Sequence, residues 1–161
     1  MAEYPVQSPQ QTADDTDMGW ALNALVKQPG IIHALLLTHD GLVLAHDEGM
    51  HRDIADPLAA ALGSKRSLGQ DLAAFCDVPE RLPWRYEIVD LKDFTVLLFA
   101  GGRHTCVAVS VAGGHGSREL AVALTETFDM VKELRPQLAA RDRQVEAQAQ
   151  RGDVESRART S

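Results

Sequence analysis

The sequence predicts a single α+β domain whose five strands form one antiparallel sheet, in the order α-β-β-α-β-β-β-α. Three observations carry this expectation. Asp40-Gly41 joins two apolar runs, residues 31–37 and 42–45. Asp-Gly in that setting is the strongest short-range hairpin signal, because Gly takes the positive φ of the turn without strain and Asp tolerates it. Segments with apolar residues at helical spacing stand before and after this hairpin. Three further strand-like runs, residues 84–90, 94–100 and 105–111, are joined only by Leu91-Lys92-Asp93 and by a short turn around Gly101-Gly102-Arg103, which suffice only for antiparallel neighbours.

Taken in order, residues 1–13 contain Pro5, Pro9 and little apolar content and are expected to form a disordered tail. A helix is expected over 14–28. Asp14, Asp15 and Asp17 stand where a helix N-terminus favours negative charge, Met18, Ala21, Leu22, Leu25 and Val26 share one face, and Pro29-Gly30 ends it. The hairpin strands that follow are almost continuously apolar, so both faces of the sheet should be covered there. After Asp47-Glu48-Gly49, the residues Ile54, Leu58, Ala61, Leu62, Leu68, Leu72 and Phe75 recur at helical spacing and are expected to be the core face of a long second helix. Pro57 places the start of that helix at 52–56, since a first-turn amide has no helical partner to lose. Gly63 and Gly69 each cost roughly 1 kcal/mol relative to Ala in a helix interior and require a reason. Beyond the meander, Ser117 is the expected N-cap of a last helix carrying Leu120, Leu124, Phe128, Val131 and Leu134 on one face, with Pro136 ending or kinking it. The domain is therefore set at 14–138, followed by a charged, flexible or helical extension over 139–161.

With 161 residues and 45% hydrophobic content the chain suits one core. A net charge of -7 argues against a surface that tracks nucleic-acid phosphates. No apolar run approaches the roughly 18 residues of a membrane-spanning helix, so direct insertion is not expected. Cys76 and Cys106 are isolated and no signal-peptide pattern is present, so they read as reduced thiols of a cytoplasmic protein.

No motif demands catalysis. Residues 113–117 form a glycine-rich strand-to-helix turn of the kind that can aim amides at an anion, but no Lys-Ser/Thr follows and Glu119 stands where a dinucleotide fingerprint needs Gly, so a structural turn is expected. His39, His46 and His51 match neither helical i,i+4 ligand pairs nor a finger spacing, and no metal or cofactor site is assigned. Neither GxSxG nor SxxK occurs, and no catalytic residue is assigned.

Association is better supported. Ala55, Ala59, Gly63 and Ser67 recur every fourth residue on the second helix. This stripe of small residues either lies on the protein's own sheet or, with the large apolar residues already supplying a core face, admits a partner helix. Trp84, Tyr86 and Ile88 alternate along the strand that opens the meander, and its free edge is a hazard that proteins cover or pair. Pairing with the same strand of a second copy gives a two-fold interface. In that arrangement Gly63→Leu would break the dimer.

At this point residues 17–138 resemble the Roadblock family, named for dynein light chains and shared with bacterial GTPase regulators. PGIIHALLLTHDGLVLAH looks like the family's helix end, first strand, Asp-Gly turn and second strand, and DIADPLAAALGSKRSLG resembles its second helix. Residues 94–98 and 105–111 are similar to its last strands. The resemblance implies a profilin-like fold in which two subunits join sheets through the third strand and pack their second helices together. The implied interface is Ala55, Ala59, Leu62, Gly63 and Arg66 from the helix with Trp84, Tyr86 and Ile88 from the strand. It also implies a non-enzymatic homodimer that binds a small Ras-like GTPase, either as a scaffold or by repositioning the partner's switch regions, with Lys65 and Arg66 facing that partner. Similar bacterial proteins are often encoded beside a sensor-kinase-like protein, which is a further expected partner and a route to recruitment at a membrane. The alternative is a small-ligand sensor module of profilin-like or PAS-like fold.

Overall fold

The computed structural model describes residues 9–80 and 82–159, with side chains described from Met18 onward. The elements are α1 (Pro9–Val26), β1 (Ile31–Thr38), β2 (Val43–His46), α2 (Arg52–Gln70), a 3-10 turn (Asp71–Cys76), β3 (Tyr86–Asp90), β4 (Thr95–Ala100), β5 (Thr105–Val111) and α3 (Arg118–Arg159). All strand pairs are antiparallel, in the spatial order β2-β1-β5-β4-β3. This is the predicted α+β class and element order. The hairpin supplies one side of the sheet, and β5 lies at its centre.

The sheet is covered on both faces. On one, Ala34, Leu36, Leu97, Phe99, Val107 and Val109 pack against Met18, Leu22 and Leu25 of α1 and Leu120, Ala123, Met130, Leu134 and Leu138 of α3. On the other, Leu35, Leu37, Leu98, Cys106 and Ala108 pack against Ala55, Ala59 and Leu62 of α2. Residues 34 to 37 thus alternate between two cores, which is why β1 reads as one continuous apolar run.

The turn from β2 is held by a buried acid. Asp47, 2% exposed, accepts hydrogen bonds from the backbone N–H of Ala34 at 2.9 Å and of Gly49 at 3.1 Å, and lies 3.1 Å from the His33 ring. The glycine-rich turn before α3 is structural. Ser117 Oγ accepts from the Leu120 N–H at 3.1 Å as the expected N-cap, and a Cβ on Gly114 would stand 2.1 Å from the Lys92 carbonyl oxygen. Only a residue without a side chain lets the two loops touch.

The first helix starts earlier than expected, and the extension after the last takes the helical of its two expected forms. α1 begins at Pro9, earlier than the predicted residue 14; the rest of the expected tail, residues 1–8, lies outside the described residues. α3 does not end at Pro136 but runs on to Arg159. Pro136 forfeits a helical hydrogen bond at a cost of about 3 kcal/mol. Leu134 and Leu138 on either side are each 1% exposed, so burial of both turns on the sheet offsets that loss. Beyond them Asp142 accepts the N–H groups of Arg103 at 3.0 Å and His104 at 3.2 Å, and Glu146 meets Arg103 Nη1 at 3.1 Å. The extension is fastened by polar contacts to the β4–β5 turn where an apolar face is lacking.

Candidate association surface

Helix α2 carries two stripes, and the structure buries the one expected to face out. Ala55 and Ala59 are 0% exposed, and Leu62, Gly63 and Arg66 complete the buried face. The small residues bring the helix backbone down onto the hairpin turn. A Cβ at Gly63 would lie 2.8 Å from both Cα and N of Gly41, and Gly41 itself, at φ 91°, has the Cα of Ala60 2.8 Å from where its own Cβ would be. Gly69 is explained likewise, since a Cβ there would lie 2.9 Å from Nε1 of the Trp84 indole. Ala55, Ala59, Leu62 and Gly63, expected at an intermolecular seam, thus have their side-chain surface covered within the protomer.

The large residues expected in the core face solvent instead. Ile54, Leu58, Leu68, Leu72 and Phe75 are all exposed, Phe75 to 91%. Ile54, Leu58, Ala61, Lys65, Leu68 and Leu72 follow one another at three- and four-residue steps, a single outward stripe interrupted by one charge. Lys65 Nζ is 2.6 Å from Glu87 Oε1 on β3, so this stripe runs beside the sheet's last strand.

Arg66, expected to face a GTPase, is instead 7% exposed. Its Nη2 donates to the Arg103 carbonyl at 3.2 Å, and its guanidinium carbon lies 6.0 Å from the Trp84 ring centroid. It braces α2 against the β4–β5 turn and offers no contact surface. Trp84 precedes β3 and packs on the α2 side of the sheet, whereas Tyr86 and Ile88 point to the α3 side. The expected common face of Trp84, Tyr86 and Ile88 is thus split where regular strand geometry begins.

Strand β3 has no neighbour beyond it among the described residues. Ala100 N–H donates to the Arg85 carbonyl at 2.9 Å and Leu91 N–H to the Phe94 carbonyl at 2.8 Å. With Glu87 opposite Leu98 and Val89 opposite Val96, odd-numbered residues bond to β4. The N–H and C=O groups of Tyr86, Ile88 and Asp90 accordingly point away from the sheet.

Beneath α2, the Cys106 thiol is fully buried, and burial pushes its pKa up from 9.0 to about 11 against a smaller lowering by Arg66. Cys76 is exposed. Iodoacetamide at pH 8 is expected to modify Cys76 alone in the native protein and both thiols in urea, which intact-mass measurement reads directly. Since the folded state holds the Cys106 proton more tightly, this thiol's effect on stability is absent below pH 9 and becomes a loss as the pH rises through 9 to 11.

The described residues hold no group of three or more His, Cys, Asp or Glu placed to bind a metal, and no helix among them is long and apolar enough to cross a membrane. A small α+β domain with an unpaired edge strand beside an exposed apolar helix face defines a class built for association. The Roadblock/LC7 domain matches residues 19–110, and the chain belongs to that family. A Roadblock/LC7 domain from Streptomyces avermitilis is 32% identical, with 75% of this chain and 97% of that one covered at a TM-score of 0.65. The gliding protein MglB of Thermus thermophilus is 17% identical, covering 80% and 93% at a TM-score of 0.65. Profilin of Schizosaccharomyces pombe, 15% identical over 73% and 94% at a TM-score of 0.50, shares the fold. No curated protein is significantly similar to the chain.

Proposed function

We propose that this protein is a non-enzymatic, cytoplasmic homodimer that binds and regulates a small Ras-like GTPase of a bacterial signalling system. Membership of the Roadblock/LC7 family supports the GTPase reading, and the likeness to the Streptomyces domain supports the bacterial setting. One observation carries the dimer: the outward apolar stripe of α2 lies against the unpaired edge of β3, tied to it by the Lys65–Glu87 pair. Two copies joined through β3 would extend the sheet and bring Ile54, Leu58 and Leu68 of the two α2 helices together, covering both hazards at once. In this revised seam Tyr86 and Ile88 contribute backbone, and α2 contributes its large residues in place of its small ones. Lys65, expected to face the GTPase, stands in the same stripe and would lie within this seam, paired with Glu87. A sensor-kinase-like protein is a further proposed partner and the means of recruitment to a membrane.

The test is co-elution of the purified protein with a Ras-like GTPase encoded beside it, loaded with GDP or with a non-hydrolysable GTP analogue. A regulator is expected to prefer one nucleotide state, because only differential affinity shifts a switch equilibrium. Equal binding to both states would leave a passive scaffold, and no binding to either would remove the reading.

A further inference from the structure

The sheet face opposite α2 carries a second exposed apolar surface. Row by row, α3 buries Leu120, Ala123, Thr127, Met130, Leu134 and Leu138, while in the adjacent row Leu124 and Val131 pack half-buried against the core and Phe128 is left exposed beside β3. Phe128 is 53% exposed there, opposite Tyr86 at 55% and Ile88 at 44%. Between them lies a cleft of about 370 Å³ floored by Phe99, on which the Tyr86 ring stacks with centroids 5.7 Å apart. A second cleft of about 210 Å³ shares Tyr86, Phe99 and Phe128 and continues the trough to Arg85, Lys132 and Arg135.

Charge is distributed unevenly along this trough. Arg85, Lys132 and Arg135 gather at one end, and none of them has a carboxylate partner among the described residues. Asp129 stands midway along it, about one helical turn before Lys132. Unpaired cations converging on aromatic side chains are out of keeping with a chain of net charge -7, and such a site attracts an acidic ligand that the rest of the surface repels. The walls are half exposed, whereas a small-molecule site encloses most of its ligand. From Leu124 to Arg135 the trough is about 16 Å long at the helical rise per residue, close to three turns of a docked helix.

We propose that this trough binds an acidic amphipathic peptide segment of a partner protein, its apolar side chains on Tyr86, Ile88 and Phe128 and its carboxylates on Arg85, Lys132 and Arg135. The site lies on the sheet face opposite α2, borders the proposed seam through Tyr86 and Ile88, and does not depend on the GTPase reading. The segment's acidic end lies toward Arg135.

The experiment uses the full chain and two fluorescein-labelled synthetic helical peptides. Both have Leu and Phe at i, i+3, i+4 and i+7; one has Glu at its flanking positions and the other Lys. Fluorescence anisotropy is expected to give binding of the acidic peptide at least about ten-fold tighter than of the basic one, weakening with salt. Lys132→Glu combined with Arg135→Glu, both on the exposed side of α3, should reverse that preference, and Phe128→Ser should weaken both peptides. Equal binding of the two peptides, or a preference that the charge reversal leaves unchanged, would overturn the proposal. So would saturable binding of phosphatidylserine vesicles or laurate in place of the acidic peptide. If Phe128→Ser dissociates a dimer in sedimentation equilibrium while neither peptide binds the parent chain, the occupant is a second copy and the peptide site is refuted.

Discussion

Gly63→Leu is expected to destabilise the protomer by about 3 kcal/mol or more, seen as a large fall in the urea midpoint with little change in slope. The atoms in the way are Cα and N of Gly41, which belong to backbone and cannot rotate aside as a side chain would. Nor can the turn retreat easily. Gly41 N–H donates to the Thr38 carbonyl at 3.0 Å, Thr38 N–H donates to Leu42 at 2.8 Å, and Leu42 N–H donates to Thr38 Oγ1 at 2.9 Å, closing the hairpin. Any side chain at 63 must therefore lift α2 from the sheet and with it the burial of Ala55, Ala59 and Leu62 over Leu35 and Leu37. Gly63→Ala should show the same sign at smaller size. The loss should be independent of protein concentration in excess of any dimer effect, because the contact is within one chain. A Gly63→Leu variant that kept its urea midpoint and lost only its dimer would restore the small-residue seam to the interface.

The reversal on α2 shows where the sequence was legible and where it was not. The strands, their order in the chain and the hairpin turn could be read because period-two burial, short connections and a positive-φ glycine each have a local cause. β5 was located to the residue, and β4 to within one at its start. Helix α2 starts at Arg52, the first residue of the expected range 52–56, but its facing was misread. Ala55, Ala59, Leu62, Gly63 and Arg66 have the same 3.6-residue period as the stripe from Ile54 to Leu72, so periodicity finds two faces and does not rank them. Size was the misleading cue. Larger residues normally go inside, but here the helix lies so close to the Gly41 turn that only small ones fit, and two glycines in one helix were the sign of it. Burial of Arg66 was hidden for a related reason: its place depends on Trp84 and the Arg103 carbonyl, contacts 18 and 37 residues away in sequence. Phe128 was put in the core because its period is right, and no local signal says that it stands at the sheet's open edge, opposite Tyr86 and Ile88.

Ile88→Pro should separate the proposed dimer without unfolding the protomer, and it is the sharpest test of the β3 seam. Within β3, proline removes a ladder hydrogen bond only at positions whose N–H faces β4, namely Glu87 and Val89. At Ile88 the N–H points outward, so the substitution deletes a donor that only a neighbouring chain would use. Ile88 is also 44% exposed, so little burial within the protomer is forfeited. Sedimentation equilibrium is expected to show a dimer dissociation constant at least about 100-fold weaker, from loss of paired backbone groups and the clash of the proline ring with the neighbouring strand, with far-ultraviolet circular dichroism unchanged. Val89→Pro provides the opposite case. It breaks the bond to Val96 that attaches the edge strand to β4 and should lower the urea midpoint of the protomer itself. The two substitutions are adjacent in sequence and differ only in which side of the strand they disable. If Ile88→Pro remains fully dimeric, copies associate elsewhere, and the outward stripe of α2 must then be matched by a surface other than an extended sheet. If both variants unfold alike, the odd–even assignment of hydrogen bonds along β3 is wrong. The dimer proposal requires the difference between them.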